Sequence, residues 1–172
     1  GTLTNMDSAD WVKTTPYRGG YSLDFDGVDD YVHSSTFTFP SVGSMSLWLY
    51  PNDLSSSAAD GQVVATSLND YSGIIVRLGN IQGQIYNGGY HYTSYAATAD
   101  NWYHAVITWD GANSQQLYVD GALRDTNSTS NAGNPAALAQ FYAGTYGAAG
   151  FYQGKSDDIR IYNRVLTAKE VE

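Results

Sequence analysis

The chain has 172 residues and a formal net charge of −9 at pH 7, with 8 basic against 17 acidic residues. This length fits about one domain, and the lack of a basic cluster argues against a nucleic-acid partner. No stretch reaches the roughly 18 apolar residues that a membrane helix needs, so membrane insertion is not expected. There are no cysteines, which excludes disulfide scaffolds and thiolate metal sites. No leader opens the chain, so we expect that any export signal was removed or lies outside this sequence.

Short strand-like segments recur along the chain, separated by Asp-Gly and Asn-Gly turns typical of β-hairpins. Their apolar residues alternate, which predicts that each strand buries one face. Many short strands at this spacing predict an all-β sandwich or barrel. Only Thr167–Glu172 looks helical, because Thr167 and Glu170 have capping-box spacing. The predicted strands are Tyr21–Phe25, Tyr31–Ser34, Ser44–Tyr50, Gln62–Ser67, Gly73–Leu78, Gly83–Tyr86, His91–Tyr95, Trp102–Trp109, Gln115–Val119, Ala122–Ser128, Gln140–Gly144, Gly150–Tyr152 and Asp157–Tyr162.

Four segments have a characteristic order and spacing: Tyr21–Val32, Ser44–Pro51, Asn101–Gly111 continuing into Leu117–Gly121, and Asp157–Thr167. Together they resemble the laminin G-like, concanavalin A-like jelly-roll family, over nearly the whole chain. The resemblance implies one domain over residues 1–172, a jelly-roll sandwich of two antiparallel sheets. It does not select one function, because this fold hosts lectins, carbohydrate-binding modules, adhesion domains, virion parts and hydrolases.

The start of the chain departs from the family pattern. Similar domains usually begin with an additional aromatic-rich strand ahead of the region Gly1–Asn5, and this chain starts inside that region. The resemblance therefore implies that the first strand was trimmed or is supplied by another chain. An open sheet edge favours strand addition, so a strand-completing partner chain or a homo-oligomer is expected.

An acidic turn supplies the candidate metal site. Asp26, Asp29 and Asp30 fall close together around Gly27, and Asp158 lies in the last predicted strand. Related folds commonly hold Ca²⁺ between an early turn and the final strand, and Ca²⁺ takes 6–8 hard oxygen ligands, backbone carbonyls included. We predict a structural Ca²⁺ held by Asp26, Asp30, Asp158 and the Gly27 carbonyl. The alternative is that Asp26 and Asp30 only cap the turn.

An aromatic cluster supplies the candidate ligand site. Tyr90, His91, Tyr92 and Tyr95 crowd one short stretch that follows Tyr86. A tyrosine ring offers a flat apolar face with a polar tip, which suits stacking on sugar rings or a protein interface. The predicted contact residues for a glycan or surface protein are therefore Tyr90, His91, Tyr92 and Tyr95. The alternative is that they form cross-strand pairs on a sheet.

Catalysis is not expected. Glycosidases of this fold need two carboxylates flanking the bond, whereas the only two glutamates, Glu170 and Glu172, lie at the C-terminus. His104 lies inside one of the family segments and is expected to be structural. The sequence predicts a non-catalytic binding or adhesion module that is extracellular or on a cell or virion surface. A structural or decoration subunit of a virion, fibre or cell-surface assembly is the alternative, followed by a glycan hydrolase.

Overall fold

A computed structural model describes residues 1–13, 20–34, 37–56, 61–67, 72–133, 140–145, 147 and 149–172. Within them, fourteen strands form two seven-stranded antiparallel sheets, which confirms the predicted sandwich. No helix in these residues is long and apolar enough to cross a membrane. The elements are β1 (Thr2–Thr4), β2 (Trp11–Val12), β3 (Ser22–Asp26), β4 (Tyr31–His33), β5 (Gly43–Pro51), β6 (Gln62–Ser67), β7 (Gly73–Arg77), β8 (Asn80–Tyr86), β9 (Tyr90–Ala96), β10 (Tyr103–Trp109), β11 (Gln115–Val119), β12 (Ala122–Asn127), β13 (Phe141–Ala143), β14 (Gln153–Tyr162) and α1 (Ala168–Val171).

The two sheets bring together strands that are distant in sequence. Sheet A has the order β1-β4-β13-β6-β7-β8-β9, and sheet B has the order β12-β11-β10-β5-β14-β3-β2. In sheet B, β5 pairs with β10 on one side and with β14 on the other. The chain passes from sheet B to sheet A between β3 and β4, so the acidic turn lies at a corner of the sandwich.

The core lies between the sheets and uses the alternation read from the sequence. Met45, Leu47 and Leu49 of β5 are fully buried, as is Trp109 of β10. The Trp109 ring stacks on Phe39 with ring centroids 4.9 Å apart. Alternate residues of β5 and β10 therefore point away from the core, onto the outer face of sheet B.

Strand ends differ from the prediction at both ends of the chain. β1 and β2 were not predicted, because two or three residues are too short to show alternation; they form edges of sheets A and B respectively. The predicted strand Gly150–Tyr152 is wrong. The Tyr152 side chain is instead fully buried, and the Tyr152 backbone N–H donates a hydrogen bond to the Gly144 carbonyl at 2.8 Å. A strand-completing partner remains a prediction.

The helical turn forms as its capping-box spacing predicts. The Glu170 carboxylate accepts a hydrogen bond from the Thr167 N–H at 2.9 Å. Val171 of α1 packs with Val106 and Tyr118 in a small cluster on the outer face of sheet B. The helix therefore covers part of that face and lies beside the rest of it.

Candidate functional site

The acidic turn connects β3 to β4. Gly27 has a φ of +80°, which lets the chain reverse tightly. Carboxylate oxygens of Asp26, Asp29 and Asp30 all lie within 4.8 Å of one another. Asp30 is buried and accepts a hydrogen bond from the Asp26 N–H at 3.0 Å, while Asp26 accepts one from the Val28 N–H at 2.7 Å. Both carboxylates thus cap the turn, and three acids converge on one corner.

The electrostatics of this turn are unfavourable for three anions. Burial raises the pKa of Asp30 above its usual value. The hydrogen bond from the Asp26 N–H opposes this effect, and the charges of Asp26, Asp10 and Asp29 add to it. Hard carboxylate oxygens in this arrangement fit a divalent cation such as Ca²⁺, which would remove the repulsion between them.

Asp158 is not brought to the acidic turn. The register of β14 on β3 pairs Gln153, not Asp158, with Asp26. At about 3.3 Å per residue, Asp158 lies about 16 Å further along the strand. Its Oδ1 accepts a hydrogen bond from the Arg160 Nε at 2.7 Å. The sequence predicted the last strand to begin at Asp157, whereas it begins at Gln153, and this shift separates the two groups of acids.

The predicted ligand residues all lie on β9, an edge strand of sheet A, but on two faces. Thr93 is buried between the sheets and Tyr95 packs against the core. Because side chains alternate along a strand, His91 shares that inner side, whereas Tyr90 and Tyr92 lie on the outer face. The structure therefore brings Tyr90 and Tyr92 together and separates them from His91 and Tyr95.

The outer-face residues form what we call the tyrosine patch: Tyr86, Tyr90, Tyr92 and Arg77. Tyr86 and Tyr90 are directly opposite each other on β8 and β9, with ring centroids 4.9 Å apart. The Tyr90 and Tyr92 rings stack at 5.8 Å with an interplanar angle of 15°. The Arg77 guanidinium carbon lies 5.9 Å from the Tyr92 centroid. The cross-strand pairing given above as the alternative is therefore present between Tyr86 and Tyr90, and it leaves Tyr90 40% exposed.

The inner residues of β9 close one side of the sandwich. The His91 Nδ1 lies 3.1 Å from the Thr129 hydroxyl oxygen, and the Arg124 guanidinium lies 5.0 Å from the Tyr95 centroid. The Asp125 carboxylate of β12 accepts a hydrogen bond from an N–H of β9 at 2.8 Å. Side chains of β12 therefore cover this edge of sheet A, which leaves the outer face as its accessible surface.

A concave surface that was not predicted from the sequence lies on the outer face of sheet B. Trp48 and His104 have ring centroids 5.1 Å apart, and the His104 Nε2 lies 3.0 Å from the Ser46 hydroxyl. Burial lowers the pKa of His104, while the charge of Asp120 opposes that shift. The alternation of Ser46 and Trp48 with the core residues of β5 could have predicted this surface, because residues between core positions face outward.

Comparison with known proteins gives a family and several structural neighbours. The model of the concanavalin A-like lectin/glucanases superfamily matches residues 26–172, and no curated protein matches the chain. Domain 4 of AbnA, a GH43 extracellular arabinanase from Geobacillus stearothermophilus solved in complex with arabinotriose, is 15% identical with a TM-score of 0.66; the match covers 99% of this chain and 80% of that one.

Two further solved structures have the same fold. The botulinum neurotoxin serotype D ligand binding domain in complex with N-acetylneuraminic acid is 17% identical with a TM-score of 0.60, and the match covers 88% of this chain but only 40% of that one. The native heptameric SAP-like pentraxin from Limulus polyphemus is 18% identical with a TM-score of 0.61, over 86% of this chain and 78% of that one. Identities this low show a shared fold alone.

Proposed function

The chain belongs to the concanavalin A-like lectin/glucanase superfamily, and from that premise we propose that it is a non-catalytic, secreted or surface-exposed module that binds a glycan. The observation that carries the proposal is the tyrosine patch. Three tyrosine rings are in contact on the outer face of sheet A, and a guanidinium lies beside them. The inner residues His91 and Tyr95 support the strand and are not proposed to touch the ligand.

The chemistry of the patch suits a saccharide. Tyrosine rings offer apolar faces to the C–H groups of a sugar ring, while phenol and guanidinium groups hydrogen-bond to its hydroxyls. Two of the structural neighbours were solved with carbohydrates, arabinotriose in one and N-acetylneuraminic acid in the other. Those complexes support carbohydrate as the ligand class without identifying the sugar.

The acidic turn is proposed to hold a structural Ca²⁺ through Asp26, Asp29 and Asp30. Asp29 replaces Asp158 in the predicted ligand set, because Asp29 lies in the cluster and Asp158 does not. The Gly27 carbonyl remains a proposed fourth ligand. The ion would supply positive charge at the corner where the chain passes from sheet B to sheet A, so its role would be to stabilise the fold.

The proposal that the module is not an enzyme is supported by its carboxylates. No glutamate lies in a strand of the described residues. Asp24 and Asp26 share one face of β3, as the two carboxylates of a glycosidase would. However, Asp24 pairs with the Lys155 Nζ at 3.3 Å and Asp26 caps the turn through Val28.

A glycan array with wild-type protein and Tyr92→Ala tests the binding proposal. Loss of one stacking face should weaken binding about tenfold or more, since tenfold corresponds to about 1.4 kcal/mol. Leu123→Ala is the control, because Leu123 is 49% exposed and lies on β12, outside the patch. Array binding unchanged in Tyr92→Ala would remove this site. Absence of binding to every glycan, with ordered oligomers in light scattering, would favour the structural-subunit alternative.

A further inference from the structure

The last strand contains an irregularity at the outer face of sheet B. The register of β14 on β5 shifts between Asp157 and Arg160. Asp158, inside the shift, has a φ of +49°, which few residues other than glycine adopt. Bulges of this kind redirect side chains and are common next to functional sites. Here the result is that Asp158 and Arg160 pair with each other at 2.7 Å.

The bulge borders a cavity of about 240 Å³, which we call the bulge groove. The Trp48 and His104 rings line it from β5 and β10, and Leu166 and Val171 line it from the C-terminal segment. A volume of this size is below the roughly 300–1,000 Å³ of pockets for drug-sized ligands. The groove is lined by Ser46, Trp48, His104, Val106, Asp158, Arg160, Tyr162, Leu166, Glu170, Val171 and Glu172.

The charged groups that line the bulge groove are mostly paired, and the remaining charge disfavours an anion as its ligand. Asp158 pairs with Arg160, and Glu170 pairs with Arg164 at 2.8 Å. Each of these carboxylates already has a cationic partner, which lessens its attraction for a metal ion. Glu172 adds a further carboxylate at the groove, which disfavours an anion. The two ion pairs nevertheless keep hydrogen-bonding capacity, because a carboxylate has about four lone-pair sites and a guanidinium has five N–H donors.

We propose that the bulge groove is a second binding site, separate from the tyrosine patch, for one neutral sugar residue. The Trp48 indole supplies a stacking surface for the C–H face of the ring. Asp158 accepts hydrogen bonds from the sugar hydroxyls and Arg160 donates to them. The bulge fixes both side chains before the ligand arrives, so little side-chain entropy is lost on binding. The site accepts either a free monosaccharide or the terminal residue of a longer chain.

Nuclear magnetic resonance of ¹⁵N-labelled protein tests this proposal directly. The chain has 4 tryptophans, and Trp48→Phe assigns the indole N–H signal of Trp48. The probes are glucose, galactose, mannose, arabinose and N-acetylglucosamine, with choline as a cationic probe and N-acetylneuraminic acid as an anionic one. At least one neutral sugar should shift the Trp48 signal saturably. The signal of Trp109, buried in the core, serves as the internal control.

Two variants distinguish the bulge groove from the tyrosine patch. Asp158→Asn keeps the side-chain shape and tolerates a positive φ. It should raise the dissociation constant measured from the Trp48 signal about tenfold or more, because a charged acceptor is lost. Tyr92→Ala should leave that response unchanged, even where it weakens binding on the glycan array. The proposal is overturned if no neutral sugar moves the Trp48 signal, if only choline or N-acetylneuraminic acid does, or if Asp158→Asn responds like wild type.

Discussion

Replacing Asp30 by asparagine should change stability in opposite directions with and without calcium. Without metal, Asp30→Asn removes a buried charge that faces two other carboxylates within 4.8 Å. At that distance each repulsion is worth about 0.9 kcal/mol at the dielectric constant of water. Asparagine can still accept the hydrogen bond from the Asp26 N–H, although loss of the charge weakens that bond by roughly 1 kcal/mol. The variant should therefore be about 1 kcal/mol more stable than wild type in EDTA.

Calcium should make the wild type more stable than Asp30→Asn. Extracellular modules bind Ca²⁺ with dissociation constants of about 0.1–1 mM. At about 10 mM Ca²⁺ the wild type then gains roughly 1.4–2.7 kcal/mol by mass action, which raises its Tm by roughly 3–10 °C. Asp30→Asn loses a ligand and should gain much less. In excess calcium the wild type should therefore be the more stable protein.

Calorimetric melts of both proteins in EDTA and in excess calcium measure this crossing. Asp158→Asn is the matched control, because Asp158 lies outside the cluster and its calcium response should equal that of wild type. The pH dependence gives a second check. Because burial raises the folded-state pKa of Asp30, the penalty carried by wild type in EDTA should disappear as pH falls through that pKa. A wild-type melt that is identical in EDTA and calcium would refute the reasoning.

Three further predictions concern the scaffold. Trp109→Ala empties the core position stacked on Phe39 and should cost roughly 3–5 kcal/mol; a urea midpoint close to wild type would contradict this. Gly43→Ala would place a Cβ 2.5 Å from the Trp109 ring and should cost about 1–3 kcal/mol by overpacking. A urea midpoint equal to that of wild type would show instead that the strand moves to accommodate the methyl group. Hydrogen bonds from Arg164 and from Thr167 together lower the pKa of Glu170 from 4.5 to about 2. The stability advantage of wild type over Glu170→Gln should therefore be present at neutral pH and vanish as pH falls through that interval; a difference in unfolding free energy that does not change with pH would contradict this.

Local patterns along the chain are enough to predict the class of fold that it adopts. Alternation in β5 and β10 identified the residues that are fully buried between the sheets, because a period of two can bury only one face of a strand. Paired turn residues such as Asp120-Gly121 marked the hairpins, and the spacing of Thr167 and Glu170 marked the helical turn. These features depend on neighbours in the chain, so local physics was enough to find them.

Which candidate residues lie close together depends on strand pairing and on the packing of the two sheets. Strand register places Gln153 beside Asp26 and leaves Asp158 five residues further along β14, and a register cannot be read from either strand alone. The faces of β9 likewise separated Tyr92 from Tyr95, because the choice of inner face is made by packing against the other sheet. Sites on a sandwich are assembled from strands distant in sequence, and their distances are set by pairing and packing that a linear pattern does not contain.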